Sequence, residues 1–201
     1  MSALFDLCDW RQWQVAITHI QSLADDDAVD QLFDQNQHGV TALIRACRFD
    51  APLALVQLMI TMAKFDSRKR CLLAITNRWG ETALHFAACR HSDPAVLELL
   101  IREHPLALQT IGSINLTPLQ CTTYHPSLLT DATNAFAARN FDTLAALVHG
   151  EASTLRFHCD PIYARIASRL TLLLCLKHEH ETFYDRVGDH ACPRLIFSFL
   201  H

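Results

Sequence analysis

A Gly-x-Thr step that returns at a nearly fixed interval constrains this chain more than any other feature. "HGVTALIRAC" carries it at Gly39 and Thr41, "NRWGETALHFAACR" at Gly80 and Thr82, and "INLTPLQC" in altered form at Asn115 and Thr117. The threonines are 41 and then 35 residues apart, which brackets the period of stacked helical repeats once loop insertions are allowed for. Each Thr precedes a helical run, where its hydroxyl can accept a hydrogen bond from an otherwise unpaired N–H of the first turn. Two residues earlier, Gly can adopt positive φ and close a tight turn, and Asn is the next most tolerant residue there. Pro118 falls on a first helical position, where the missing N–H costs nothing. A segment that recurs in this way is a building unit before it is a site.

The units continue in register. Leu43, Leu84 and Leu119 follow the threonines, and Ala46, Ala87 and Ala88 put small side chains on one face, which lets short helices stack closely. A second helix follows in two copies as "APLALVQLMITMA" and "DPAVLELLIRE", with Pro52 and Pro94 near its start. Upstream, "LFDLCDWRQWQVAITHI" reads as a helix pair without a turn before it, the form expected of an N-terminal cap. The acidic stretch "ADDDAVD" after it reads as a solvated run. Downstream, "AFAARNFDTLAALV" looks like the end of a repeat that has lost its turn. Whether residues 127–138 complete the third pair or open a fourth is left open by the sequence. The tail adds a helix through the apolar run Leu170–Leu176 and an apolar helix from Pro193. The organisation expected is one domain over 1–201, with a cap at 1–35, clear units at 36–125, and degenerate helices at 126–201.

At this point the residues carry a family resemblance: the chain resembles an ankyrin repeat protein. "GETALHFAA" departs from the family's G-x-T-P-L-H-x-A-A only at Ala83, in the proline position. Copy one, "GVTALIRAC", has Ile44 in the histidine position, and copy three, "NLTPLQCTT", has Asn115 for Gly and Gln120 for His. The resemblance implies an all-α solenoid of stacked helix pairs with short turn fingers, and a hydrogen-bond network between neighbouring repeats in which His85 takes part. It also implies a concave surface of fingers and inner helices that binds another protein. The contact positions it implies are Gln37, His38, Val40, Arg48 and Phe49 in copy one. In copy two they are Arg78, Trp79, Glu81, Cys89 and Arg90, and in copy three Ser113, Ile114, Leu116, Tyr124 and His125. This mixed basic, aromatic and aliphatic set suits an acidic or amphipathic protein segment.

Composition narrows the function classes. The chain has 201 residues, half of them hydrophobic and only five of them glycine, which favours an ordered helical protein with a sizeable core. A formal charge of −4 gives no global pull toward a phosphate backbone, so nucleic acid is not expected as the partner. The eight cysteines stand singly with no C-x-x-C pair, and no secretory signal is visible, so a reducing cytoplasmic or nuclear setting and a monomer are expected. The run Leu170–Leu176 is too short to span a membrane.

No nucleophile, base and orienting group share a recognisable spacing, and no phosphate-binding loop or metalloprotease helix is present, so neither enzyme activity nor a cofactor is expected. The rival to plain protein binding is a zinc-binding regulatory tail built from His178, His180, His190 and Cys192, whose irregular spacing argues for a solvated loop instead. "DSRKR", residues 66–70, is either a docking patch for an acidic partner or a solvated loop. Trp79 sits beside Arg78 at a turn tip, where burial is hard to arrange, and is either packed under the next finger or an exposed binding anchor.

Overall fold

The computed structural model describes residues 2–159 apart from 69, 92, 113 and 114. The apolar runs at 170–176 and after 193, the tail residues His178, His180, His190 and Cys192, and the contact positions Ser113 and Ile114 lie outside the described residues.

Eleven α-helices make up the described chain: α1 (Ala3–Asp9), α2 (Trp13–Ser22), α3 (Asp25–Phe33), α4 (Ala42–Arg48), α5 (Leu53–Ala63), α6 (Ala83–Arg90), α7 (Pro94–Glu103), α8 (Pro118–Cys121), α9 (Pro126–Ala137), α10 (Phe141–Leu147) and α11 (Ala152–Cys159). Two 3-10 turns, Leu72–Ala74 and Pro105–Gln109, complete it, and no strand occurs among the described residues. An inner row runs α1, α4, α6, α8, each packed on the next, and an outer row runs α2, α5, α7 behind it. Ala42, Ala46, Ala83, Ala87 and Ala88 are all buried, which is how the short α4 and α6 approach each other closely.

The threonines start these inner helices. Thr41 accepts from the Ile44 amide at 3.3 Å, while Thr82 and Thr117 form capping boxes with His85 and Gln120. Pro118 takes the first turn of α8 and Pro94 that of α7. Gly39, Gly80 and Asn115 all adopt positive φ, at 73°, 80° and 53°. Gly39 is under a second constraint: a Cβ there would lie 3.1 Å from the Arg78 amide nitrogen and 3.2 Å from the Asn77 Cα, which are backbone atoms of the next finger. Gly39→Val should therefore lower stability by about 1–3 kcal/mol, since a β-branched residue is strained at that φ and wedges two fingers apart. An unchanged midpoint in urea would refute this close approach.

Several helices end on a turn that the sequence does not announce. Arg11, Asp50, Arg139 and His149 have positive φ, between 47° and 60°. The amide that follows each one reaches back to a helix carbonyl: Gln12 to Leu7, Ala51 to Ala46, Asn140 to Ala135 and Gly150 to Ala145, at 2.8–3.1 Å. This is the glycine-type helix stop made by other residues. The Asn140 amide makes to Ala135 the bond that Ala51 makes to Ala46 in copy one, and α9 packs on both α8 and α10. In copy three, α8 is only one turn long.

Two charged segments are ordered, one read as a solvated run and the other as a docking patch or a solvated loop. The run beginning "ADDD" is helix α3, with Asp25, Asp26 and Asp27 in its first turn, where carboxylates complement the helix dipole, and with Ala28, Val29, Leu32 and Phe33 buried beneath. In "DSRKR", Asp66 is buried and accepts three bonds from Arg70, one from the amide at 2.8 Å and two from the guanidinium at 3.1 Å. The Arg70 guanidinium carbon stands 4.0 Å over the Phe33 ring, and Arg68 lies 3.7 Å from Asp30. The described arginines of this run are thus engaged within the chain.

Candidate protein-binding surface

Each finger is a short loop closed on itself. The Asn36 amide donates to the Val40 carbonyl at 3.1 Å and the Gly39 amide returns to the Asn36 carbonyl at 2.8 Å; Asn77, Gly80 and Glu81 repeat this in copy two, both at 3.0 Å. The asparagine side chains complete the loop. Asn36 Oδ1 accepts from the amides of His38 and Val40 at 2.9 and 3.0 Å, and Asn77 Oδ1 accepts from those of Trp79 and Glu81 at the same distances. In copy three Gly112 stands in the asparagine place, and only the backbone bonds remain, from Gly112 to Leu116 and from Asn115 to Gly112. Adjacent fingers are joined where the Arg78 amide donates to the His38 carbonyl at 2.9 Å.

His85 links the second finger to the third. The Thr82 amide donates to Nδ1 at 3.1 Å, so that nitrogen is unprotonated and Nε2 carries the hydrogen that reaches the Leu116 carbonyl at 3.2 Å. Burial pushes the pKa of this imidazole below its ordinary 6.5, against a smaller opposing pull from the Leu116 carbonyl. In copy three, Gln120 Oε1 accepts from the Thr117 amide at 2.8 Å and so takes over the half of the histidine's role that caps the helix. Ile44 in copy one takes neither half.

His91 and His104 are also held below the usual range, first by burial; for His91 the Asp50 carboxylate, 2.9 Å away, pulls the other way. A histidine whose folded pKa is depressed binds fewer protons when folded than when unfolded. Stability therefore falls as pH drops below about 6.5 and goes on falling until the folded pKa is passed. The urea midpoint should be lower at pH 5.5 than at pH 7.5; an equal or higher one would overturn this. Asp66, held low by Arg70, adds its own loss only below the ordinary carboxylate range.

The family comparison decides what this geometry belongs to: the Ankyrin repeat model matches residues 79–110, from the tip of the second finger through α6 and α7. This segment is an ankyrin repeat. No curated protein and no solved structure matches the chain. Ankyrin repeats typically mediate protein–protein interaction, and the family is typically non-enzymatic.

Placed on the structure, the implied contact residues divide. Gln37, Arg48, Arg78, Trp79, Arg90 and Tyr124 are exposed, and His38, Phe49, Glu81, Cys89, Leu116 and His125 are half-buried. Val40 is only 7% exposed and presents no useful surface. After the turn at Gly39 the chain doubles back into the stack, and Val40 joins the apolar core just ahead of Thr41. Glu81, at the equivalent place, is committed locally, since its Oε2 accepts from Asn77 Nδ2 at 2.9 Å. Trp79 is brought together with Arg78, whose guanidinium carbon is 4.1 Å over the indole, and with His38, whose ring centroid is 5.9 Å away on the neighbouring finger. Residues the sequence reading passed over are Asn36 and Asn77, whose shared Asn-x-x-Gly spacing was the available signal, and Arg11 and Arg45 beside Phe49.

Burial pushes the Cys8 and Cys47 thiols up to about 12, far from reactivity. No group of three or more His, Cys, Asp or Glu able to hold a metal occurs among the described residues, and none of the helices among them is long and apolar enough to cross a membrane. A cavity of about 660 Å³ opens between the ends of α5 and α7 and helix α11. Its cations are engaged within the chain: Lys64 lies 2.8 Å and Arg102 3.7 Å from Glu103, and Arg70 is held by Asp66.

Proposed function

We propose that this chain is a non-catalytic binding module that holds an acidic or amphipathic segment of another protein along its fingers and inner helices. In this reading it acts as a monomeric scaffold in the cytoplasm or nucleus, and 1–201 form one domain. The observation that carries the reading is Trp79. Its indole stands at a finger tip 41% exposed, with Arg78 over one face and His38 beside it, so a large ring is fixed in place at the surface and still open to a partner. Pre-positioned Trp and Arg side chains of this kind dominate interface energies. Ordering them in advance also reduces the entropy lost on association.

The test compares wild type with Trp79→Ala in two measurements, after the partner has been isolated by capture from native cell extract. The substitution should change folding stability by less than about 1 kcal/mol, because the ring is mostly supported from outside the core. It should weaken binding by about 2 kcal/mol in a calorimetric titration. A stability loss equal to that of a core truncation, with the affinity of the folded protein intact, would make Trp79 mortar between fingers and sink the assignment.

A further inference from the structure

We infer that the ends of α1 and α4 form a second anchor, an arginine rim that seats a glutamate or aspartate carboxylate of the partner segment. This rests on the protein-binding reading for the class of partner and adds a distinct place and chemistry. The guanidinium carbons of Arg11, Arg45 and Arg48 stand 4.7, 5.4 and 5.8 Å from the centroid of one ring, Phe49. Three like charges gathered around a single side chain repel one another, and an oxyanion placed among them relieves that repulsion while receiving forked hydrogen bonds.

The carboxylates near the rim are already engaged. Asp9 Oδ1 is 2.9 Å from Arg45 Nε, and Asp50 is 2.9 Å from His91 Nδ1. Arg45, which also lies 5.2 Å over Phe5, is half-buried and held from below. Arg11 and Arg48 are exposed. The Arg11 backbone is pinned by its positive φ and by the bond from the Gln12 amide to the Leu7 carbonyl at 2.9 Å. Beside it Trp10 is 68% exposed and offers an apolar platform next to the charges. The C-terminal ends of α1 and α4 carry the negative end of the helix dipole, so anion affinity here comes from the guanidiniums and disappears with them.

The experiment uses the full chain, ¹⁵N-labelled, and reads the Trp10 indole N–H signal and the Arg11 and Arg48 Nε–H signals by NMR. The probes are acetyl-Glu-Glu-Leu-amide, acetyl-phosphoserine-Leu-amide and the neutral acetyl-Gln-Gln-Leu-amide. Saturable shifts with the glutamate probe, absent with the neutral one, are expected; shifts with the phosphoserine probe alone would overturn a carboxylate as the occupant. Arg11→Gln combined with Arg48→Gln keeps most of each stem and should weaken the anionic probe at least tenfold, read at Trp10, with an unchanged thermal melt. Should that pair of substitutions lower the melt, the single Arg48→Gln variant serves, and it should still weaken the probe. No saturable shift, equal shifts with the neutral probe, or undiminished binding in the variants overturns the rim. Trp79→Ala should leave this response intact, so failure of the rim and failure of the finger ridge are told apart.

Discussion

Replacing Leu84 by alanine will lower the unfolding free energy by about 2–5 kcal/mol, the range for a fully enclosed leucine. Leu84 is buried in α6, the inner helix that packs on α4 on one side and on α8 on the other. Its neighbours in the row are backbones already drawn close by alanines, so the hole left by the lost methyl groups has little means of collapsing. In a stack the damage is shared, because the interface terms to both neighbouring units pass through the same helix. Urea denaturation followed by circular dichroism measures it. A cost under about 1 kcal/mol would mean that the inner row is far looser than these contacts imply.

Asn77→Ala follows with a loss of about 2–4 kcal/mol, although it removes almost no apolar surface. The side chain is 4% exposed. Its oxygen satisfies the amides of Trp79 and Glu81, and its nitrogen donates to Glu81 Oε2. Truncation leaves two finger amides short of an acceptor in a loop that must also hold Arg78 against His38. Asn77→Asp keeps the acceptor but sets a carboxylate oxygen against Glu81 Oε2, so the smaller cost belongs to Asn77→Asp combined with Glu81→Gln, whose side-chain amide can donate back. Equal losses in the two variants would show that the finger amides find water without difficulty and that the side chain is not what closes the loop.

Much of the fold was legible because its signals are backbone constraints that only certain residues meet. Thr41, Thr82 and Thr117 start helices, Pro118 sits where an amide is dispensable, and Gly39, Gly80 and Asn115 take the φ that their residue types permit. What escaped the sequence had another character. The helix stops at Arg11, Asp50, Arg139 and His149 place ordinary residues in a conformation usually signalled by glycine, so no letter marked them. Helix α3 was masked by its own first turn, where three aspartates read as solvation although Ala28, Val29, Leu32 and Phe33 carry a helical stripe behind them. Asp66 and Arg70 looked like loop charge because their partners, each other and Phe33, become visible only in three dimensions.

The surface was legible to a smaller degree for a related reason. Trp79 and Arg78 could be placed at a finger tip from the turn residues around them, but the ring of His38 arrives from a finger 41 residues away. Val40 had the sequence position of a contact residue, and only the direction of the chain after Gly39 decided that it faces the core.

The packing of each helix on elements close to it in sequence, α1 on α4, α4 on α6 and α6 on α8, has a kinetic consequence. Among the described residues no distant strands have to find one another, and the loops that close during assembly are about one repeat long. Topologies of that kind fold quickly for their size, because little chain entropy is lost before contacts begin to repay it. Order can begin at whichever pair forms first and spread to both sides. Among the described residues the second unit combines the capping box with histidine and the bond from His85 to the third finger with an asparagine-closed loop like that of the first, and it is the natural seed from which the others are templated.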